Sequence, residues 1–353
     1  MRCDGAPDWP RAGSAGQSES GETMAGHDER SRPRLVLPAV RPFGSIRRLV
    51  GCAAVGTVSL VCVASTASGA VSQFPVLTTP RDEILPAADV WFMWTQNSGA
   101  HPHRYTEYVE KNPAQSGGPC CRMRVNAVGT QGFPGGILPT GRLIYQQVKR
   151  RQSDLKVFDM STRLRRNPPV GVNTPGWEYQ PSASGAWILF GRLKVSTHRR
   201  KIVLFDLFSQ RLIVLADRPA GPANNPSATP GQLNGNFAVW SQCTATACNV
   251  WEYDIATATK TRLPNATPGH YNYAPSVDTA GTVYFAHGGR TCGGAKIEKE
   301  PLGGAASIIA SVGNQDVSSS SYANHFGNAT PSLLFARYDC KSGSHDISGL
   351  YNP

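Results

Sequence analysis

An all-β fold, a β-propeller of six four-stranded blades, is what this sequence predicts, and three observations predict it. Strand-like runs of aromatic and β-branched residues recur along the chain, separated by Gly, Pro, Ser and Asp clusters, with no persistent helical period. The second strand of each run starts at Trp91, Leu143, Trp187, Phe237, Val283 and Leu333, so the steps are 52, 44, 50, 46 and 50 residues. A period in the forties to fifties with about four strands per unit is that of propeller blades, which bury their faces by stacking around an axis. The composition agrees: 36 Gly and 27 Pro with only 17% charged residues describe a turn-rich chain.

Residues 1–48 are polar and irregular, and are expected to form a disordered or non-native extension. Arg47-Arg48 then precedes an apolar run from Leu49 that ends near Ser68-Gly69-Ala70, the layout of a secretory signal with cleavage after Ala70. Two alternatives stay open: Met24 as the true start, and retention of residues 49–70 as a membrane anchor, since about 18 apolar residues reach across a bilayer. Residues 71–353 are the propeller. This segment keeps 27 basic and 18 acidic side chains, a net charge of +9. No dense basic stripe with interleaved aromatics appears, so nucleic acid is not an expected partner; membrane contact is expected only through a retained leader.

Val90–Trp94 begins the first strong hairpin, with Arg104–Val109 as its partner, and Arg122–Thr130 reads as the next inner strand. Leu143–Gln147 and Leu155–Phe158 repeat the hairpin. Trp177–Gln180, Trp187–Phe190, Ile202–Phe205 and Arg211–Leu215 make the third unit. Phe237–Trp240, Asn249–Tyr253 and Thr261–Leu263 make the fourth. The stretch Tyr271–Ala286, a short strand, a Pro/Ser/Asp/Gly turn and a second strand, opens the fifth with Ala295–Glu298 and Ser307–Ala310 behind it, and the sixth runs from Gln315 through Leu333–Ala336 to Tyr351. A strand from residues 71–89 closing the last blade would explain the weakly patterned lead. Asp159, Asp206 and Asp254 follow the second strands by similar distances and are expected to accept backbone N–H bonds in turns.

Six cysteines fall in 71–353, and an even count behind a secretory signal suggests disulfides. Cys243 and Cys248 bracket four residues between two strand-like runs, so a hairpin would face one with the other. Cys292 and Cys340 occupy similar places in successive repeats and are a second candidate pair. His101-Pro102-His103 lacks a third ligand, and neither a metal nor a cofactor is expected.

Several repeats carry a shared phrase: Tyr273-Ala274-Pro275-Ser276-Val277-Asp278 with Gly281, and Tyr179-Gln180-Pro181-Ser182 with Gly185, the latter closing at Phe205-Asp206. In this the chain resembles the TolB-like, WD40-like bacterial β-propellers over roughly residues 75–353. The fourth unit keeps only Asn234-Gly235-Asn236 and the strand after it. The resemblance implies an exported, envelope-facing propeller, and leader and composition resemble those of exported actinobacterial proteins. After the leader there is no room for the separate N-terminal α/β domain of the translocation protein, so that role is not implied.

Propeller sites gather where inner strands start. The candidate ligand-binding residues are therefore Asn126, Gln131, Trp177, Glu178, Asn234, Asn236, Tyr271, Asn272 and Asp316. Amides and aromatic rings suit a peptide, a glycan or a protein partner of the envelope. No G-x-S-x-G elbow, zinc-protease motif or phosphate loop is present, which points to a non-catalytic binding protein. The alternative is a glycan-active hydrolase or lyase, with Glu178 and Asp316 as the carboxylates; a second alternative is a purely structural envelope protein.

Overall fold

The computed structural model describes residues 73–76, 83–88, 91–97, 105–111, 122–150, 152–221, 227–263, 271–288, 294–313, 315–326, 330–342 and 344–353. The leader at 49–70, Cys120, Cys121, Cys292 and His101–His103 lie outside the described residues. No helix among the described residues is long and apolar enough to cross a membrane.

The chain is all-β. One blade contains β2 (Glu83–Ala88), β3 (Trp91–Asn97), β4 (Tyr105–Lys111) and β5 (Met123–Arg124). A second contains β6 (Gln131–Ile137), β7 (Leu143–Lys149), β8 (Gln152–Phe158) and β9 (Arg165–Arg166). The third is β10 (Trp177–Ser184), β11 (Trp187–Lys194), β12 (Arg199–Asp206) and β13 (Leu212–Pro219). The last joins β22 (Gln315–Phe326), β23 (Thr330–Asp339) and β24 (His345–Tyr351) to the chain's own N-terminal strand, β1 (Gln73–Pro75). Closure by a strand from 71–89 is thus realised at Gln73–Pro75, paired antiparallel with Ser348–Leu350.

The expectation of six four-stranded blades is corrected between residues 228 and 311. There β14 (Ala228–Asn234), β15 (Phe237–Cys243), β16 (Cys248–Asp254) and β17 (Thr259–Arg262) share one eight-stranded sheet with β18 (Tyr271–Val277), β19 (Val283–Gly288), β20 (Lys296–Glu300) and β21 (Ser307–Ser311). The described residues therefore form four four-stranded blades and one eight-stranded sheet. The finding that overturns the expectation is a single parallel pairing, Cys248 with Tyr271, which links the starts of β16 and β18. One backbone pair leaves no period in a sequence, so spacing alone could not reveal it.

Second strands are the most buried because both their faces are covered, and they read as near-continuous apolar runs. β3, β7, β11, β15, β19 and β23 hold Phe92, Leu143, Phe190, Trp240, Phe285 and Leu334, all at or near zero exposure. These six strands contain all six positions that set the repeat. The inner strand expected at 122–130 is corrected: Met123–Arg124 is the outer strand β5, and the inner strand begins at Gln131. Asp159, Asp206 and Asp254 each accept a backbone N–H two residues on, from Ser161, Phe208 and Ala256 at 3.1, 2.9 and 2.9 Å. They are turn residues, as expected. Cys243 and Cys248 are disulfide-bonded across directly paired positions. Cys340 is also disulfide-bonded.

Candidate functional site

The first strands β2, β6, β10, β14, β18 and β22 surround one cavity of about 600 Å³, within the usual range for a small-molecule site. Each of these strands carries a register shift against its neighbour, near Pro86, Pro134, Pro181, Gly231, Pro275 and Ser318. Proline has no N–H to give a ladder and is tolerated at such bulges. Pro86, Pro134, Pro181, Pro230 and Pro275 consequently ring the cavity, completed by Ser318–Ser321 on β22. Gln180 and Ala274, each immediately before a ring proline, hold left-handed backbones with φ of 45° and 49°. This conformation is disfavoured both for non-glycine residues and for the residue before proline, so the cavity wall stores local strain.

The polar groups on this wall are hydroxyls, amides and one carboxylate. Asp316 accepts a hydrogen bond from the Tyr273 hydroxyl and another from the Val317 N–H at 2.8 Å. Ser320 donates to the Ala274 carbonyl at 2.6 Å, which ties β22 to β18. Gln232 pairs with both backbone groups of Tyr322, at 2.7 and 2.8 Å, and accepts from Val277 N–H at 3.3 Å. It is a strut between β14, β18 and β22, and it also lines a smaller cavity of about 110 Å³. The Ser319 hydroxyl is buried with no hydrogen-bond partner among the described residues. Asp316 is the cavity's only charged side chain among the described residues.

Of the residues expected from sequence, Asp316 lines the large cavity and Asn234 the small one. Asn234 also donates to the Val277 carbonyl at 3.1 Å. The others are placed elsewhere. Asn126 is fully buried, accepting from Glu107 N–H at 2.9 Å and donating to Thr130 O at 2.6 Å, so it braces the approach to β6. Gln131 and Trp177 begin β6 and β10, Trp177 being 40% exposed. Asn236 is exposed in the turn between β14 and β15. The Tyr271 hydroxyl donates to Ala245 O at 3.3 Å, and Asn272 is buried against His287 at 2.8 Å.

Glu178 is fully buried, paired with Arg192 at 2.9 Å and accepting from Thr174 at 2.7 Å. Burial pushes its carboxyl above the usual range, while the Thr174 hydrogen bond and the Arg192 guanidinium pull it back. Arg192 also donates to the carbonyls of Gly171 and Val172. Glu178 is thus a fastening between β10, β11 and the preceding loop, and it does not share the cavity with Asp316.

Sequence reasoning missed Gln180, Gln232, Tyr273 and the serines of β22. The signal that would have found them is the proline recurring at 86, 134, 181, 230 and 275, which marks mid-strand rather than strand start.

No family model and no curated protein matches the chain. Solved structures do. A protein assigned as TolB from Agrobacterium tumefaciens is 12% identical, with 80% of this chain and 98% of that one covered at a TM-score of 0.50. An oligogalacturonate lyase from Vibrio parahaemolyticus is 9% identical, covering 80% and 82% at 0.46. An acylaminoacyl peptidase from Pyrococcus horikoshii is 10% identical, covering 76% of this chain and 44% of that one at 0.46. At these identities the likeness shows a propeller fold. The expectation of a chain without catalysis is corrected as well: one fold hosts catalysts and binders alike, so this fold does not argue against turnover.

Proposed function

We propose that the axial cavity binds an uncharged, hydroxyl-rich ligand, a segment of glycan. The observation that carries this reading is the composition of its wall. Proline rings offer flat apolar faces to the C–H faces of a sugar, and the hydroxyls and amides of Tyr273, Gln180 and the β22 serines offer bonds to its hydroxyls. With residues 49–70 read as an export leader, the ligand is a component of the cell envelope.

A second reading is that the bound glycan is also acted upon. What favours it is Asp316, a carboxylate on the cavity wall held by the Tyr273 hydroxyl. Two-carboxylate hydrolysis needs a second acid across the scissile bond, and Asp316 is the sole carboxylate among the described lining residues. Elimination with a single base, a lyase reaction, fits this wall better. It needs a carboxyl at C6 to acidify the C5 proton that Asp316 takes as the bond from C4 to oxygen breaks, so this second reading takes a uronic-acid glycan in place of a neutral one.

Calorimetric titration with neutral oligosaccharides, acidic oligosaccharides and short peptides tests the first reading. Binding of the neutral sugars, weakened tenfold or more in Asp316→Asn (about 1.4 kcal/mol), is the expected result. Binding of peptides alone, or sugar binding indifferent to this change, overturns it. Chromatography of the same mixtures tests turnover, where unsaturated products lost in Asp316→Asn are expected.

A further inference from the structure

The two halves of the eight-stranded sheet, β14–β17 and β18–β21, are joined by one backbone pairing and by packing between their faces. Residues directly opposite one another in a sheet share a face. Glu252 is opposite Val239, and Glu300 is opposite Val283. Val239 and Val283 belong to the same apolar cluster, with Val250, Val277, Leu263 and Phe285. Both glutamates therefore project into the seam between the halves. They are 4% and 3% exposed, and each has a carboxyl oxygen with no hydrogen-bond partner among the described residues.

We propose that this seam is a proton-operated joint, closed while Glu252 and Glu300 are neutral and loosened when both ionise. A neutral carboxyl can donate to its neighbour and sit in apolar surroundings, whereas two buried carboxylates repel and lack water.

Among the described residues the surroundings supply no countercharge deep in the seam. On its own strand Glu252 has Asp254 two residues on, and its partner on β17 is Thr261. From the other half come Asp278 after β18, His287 on β19, and Lys296, Glu298 and Glu300 on β20. His287 Nδ1 lies 2.8 Å from Asn272 and 4.0 Å from Glu298, and Lys296 is exposed at the strand start. β15 and β21 bring no charged residue. Lys260 and Arg262 pair with Tyr253 and Trp251, so they face away, Lys260 donating to the Leu215 carbonyl at 2.7 Å. Burial first, and then Asp254, Glu300 and Asp278, push the Glu252 carboxyl up to about 7. Burial and Glu298 push Glu300 up as well.

The sign follows from linkage. A folded-state value above the unfolded one means that the folded seam holds a proton which the unfolded chain has released. The seam's contribution is complete below about 4.3, the unfolded glutamate value. It is lost as pH rises towards 7. Since Cys248 at the start of β16 and Tyr273 on β18 both line the axial cavity, loosening would move part of its wall.

Hydrogen exchange of the full chain, read by mass spectrometry and divided by the intrinsic rate at each pH, tests the joint without any ligand. Protection over β16 and β18 is expected to fall about tenfold or more between pH 5.5 and 8, one or more pKa units' worth. Protection over β11 and β12 serves as reference. Glu252→Gln and Glu300→Gln, which keep the side-chain shape, are each expected to flatten that dependence. Seam protection that only tracks the reference strands, or a fall that persists in both variants, overturns the proposal. Neither result bears on whether the cavity binds a glycan.

Discussion

Two joints hold neighbouring parts of this propeller together by different means. At the closure, β1 adds itself to the last blade. Phe74 stacks on Tyr351 with ring centroids 3.8 Å apart, and its ring lies over Gly349, where a Cβ would come within 2.3 Å of it. Phe74 and Val76 then join Phe92, Trp94, Leu334 and Ile347 in one apolar cluster. The seam at β16 and β18 has an apolar cluster of its own, but places two buried glutamates beside it. A joint made of hydrocarbon depends on area removed from water and hardly on pH. A joint that buries carboxyls has its strength set by their protonation. One architecture thus contains a fixed closure and an adjustable one.

The largest effect that would break this contrast is at the closure. Phe74→Ala removes an aromatic ring that is 3% exposed and is expected to cost about 3–5 kcal/mol. Urea unfolding at pH 5.5 and at pH 8 should give the same loss. A loss that differed by more than the fitting error between the two would mean that the closure also contains a titrating contact.

An acid in a third joint sharpens the contrast. Glu178 is as buried as Glu252 but has its cation, and it fastens β10 to Arg192 on β11 while its backbone carbonyl accepts from Ser153 on β8 at 2.6 Å. Removing the partner in Arg192→Met leaves an uncompensated carboxylate, expected to cost about 3 kcal/mol at pH 8. The cost should shrink towards pH 5, because an unpaired buried carboxyl takes up a proton more readily. Equal losses at both pH values would show that packing of the Arg192 stem, not its charge, holds this joint.

These contrasts also mark what the sequence could carry. The second strands were legible because burial on both faces writes a continuous apolar run, as in Trp91–Gln96 or Phe237–Gln242. Outer strands such as Arg165–Arg166 and Thr259–Arg262 are exposed along their length and leave almost no pattern. Turn aspartates were legible because one side chain and its next two residues suffice to make the motif. Pairing of Cys248 with Tyr271 was not, since it depends on how two strand starts meet in space. The cavity was hidden for a related reason. Its wall is built at mid-strand bulges, whereas strand starts such as Trp177 and Asn272 drew attention by carrying more conspicuous side chains. Glu178 and Glu252 look alike in a sequence, and only the fold gives one an arginine and the other a second glutamate.

The smallest change tests the origin of the seam's sensitivity. Asp254 accepts from Ala256 N–H and from the Thr257 hydroxyl, both at 2.9 Å, and it is the nearest cause after burial for the raised Glu252 carboxyl. Asp254→Asn removes the negative charge but keeps an acceptor for the Ala256 N–H, so the turn should survive. The Glu252 midpoint is expected to fall from about 7 by about half a pH unit, because one repelling charge at partial exposure is gone while burial remains. Carboxyl-carbon NMR on glutamate-labelled protein would follow it directly. A downward shift would place part of the seam's pH response in the turn that ends β16. An unmoved midpoint would assign the whole of it to desolvation between the two half-sheets, and Glu252 and Glu300 would then be the only handles on the joint.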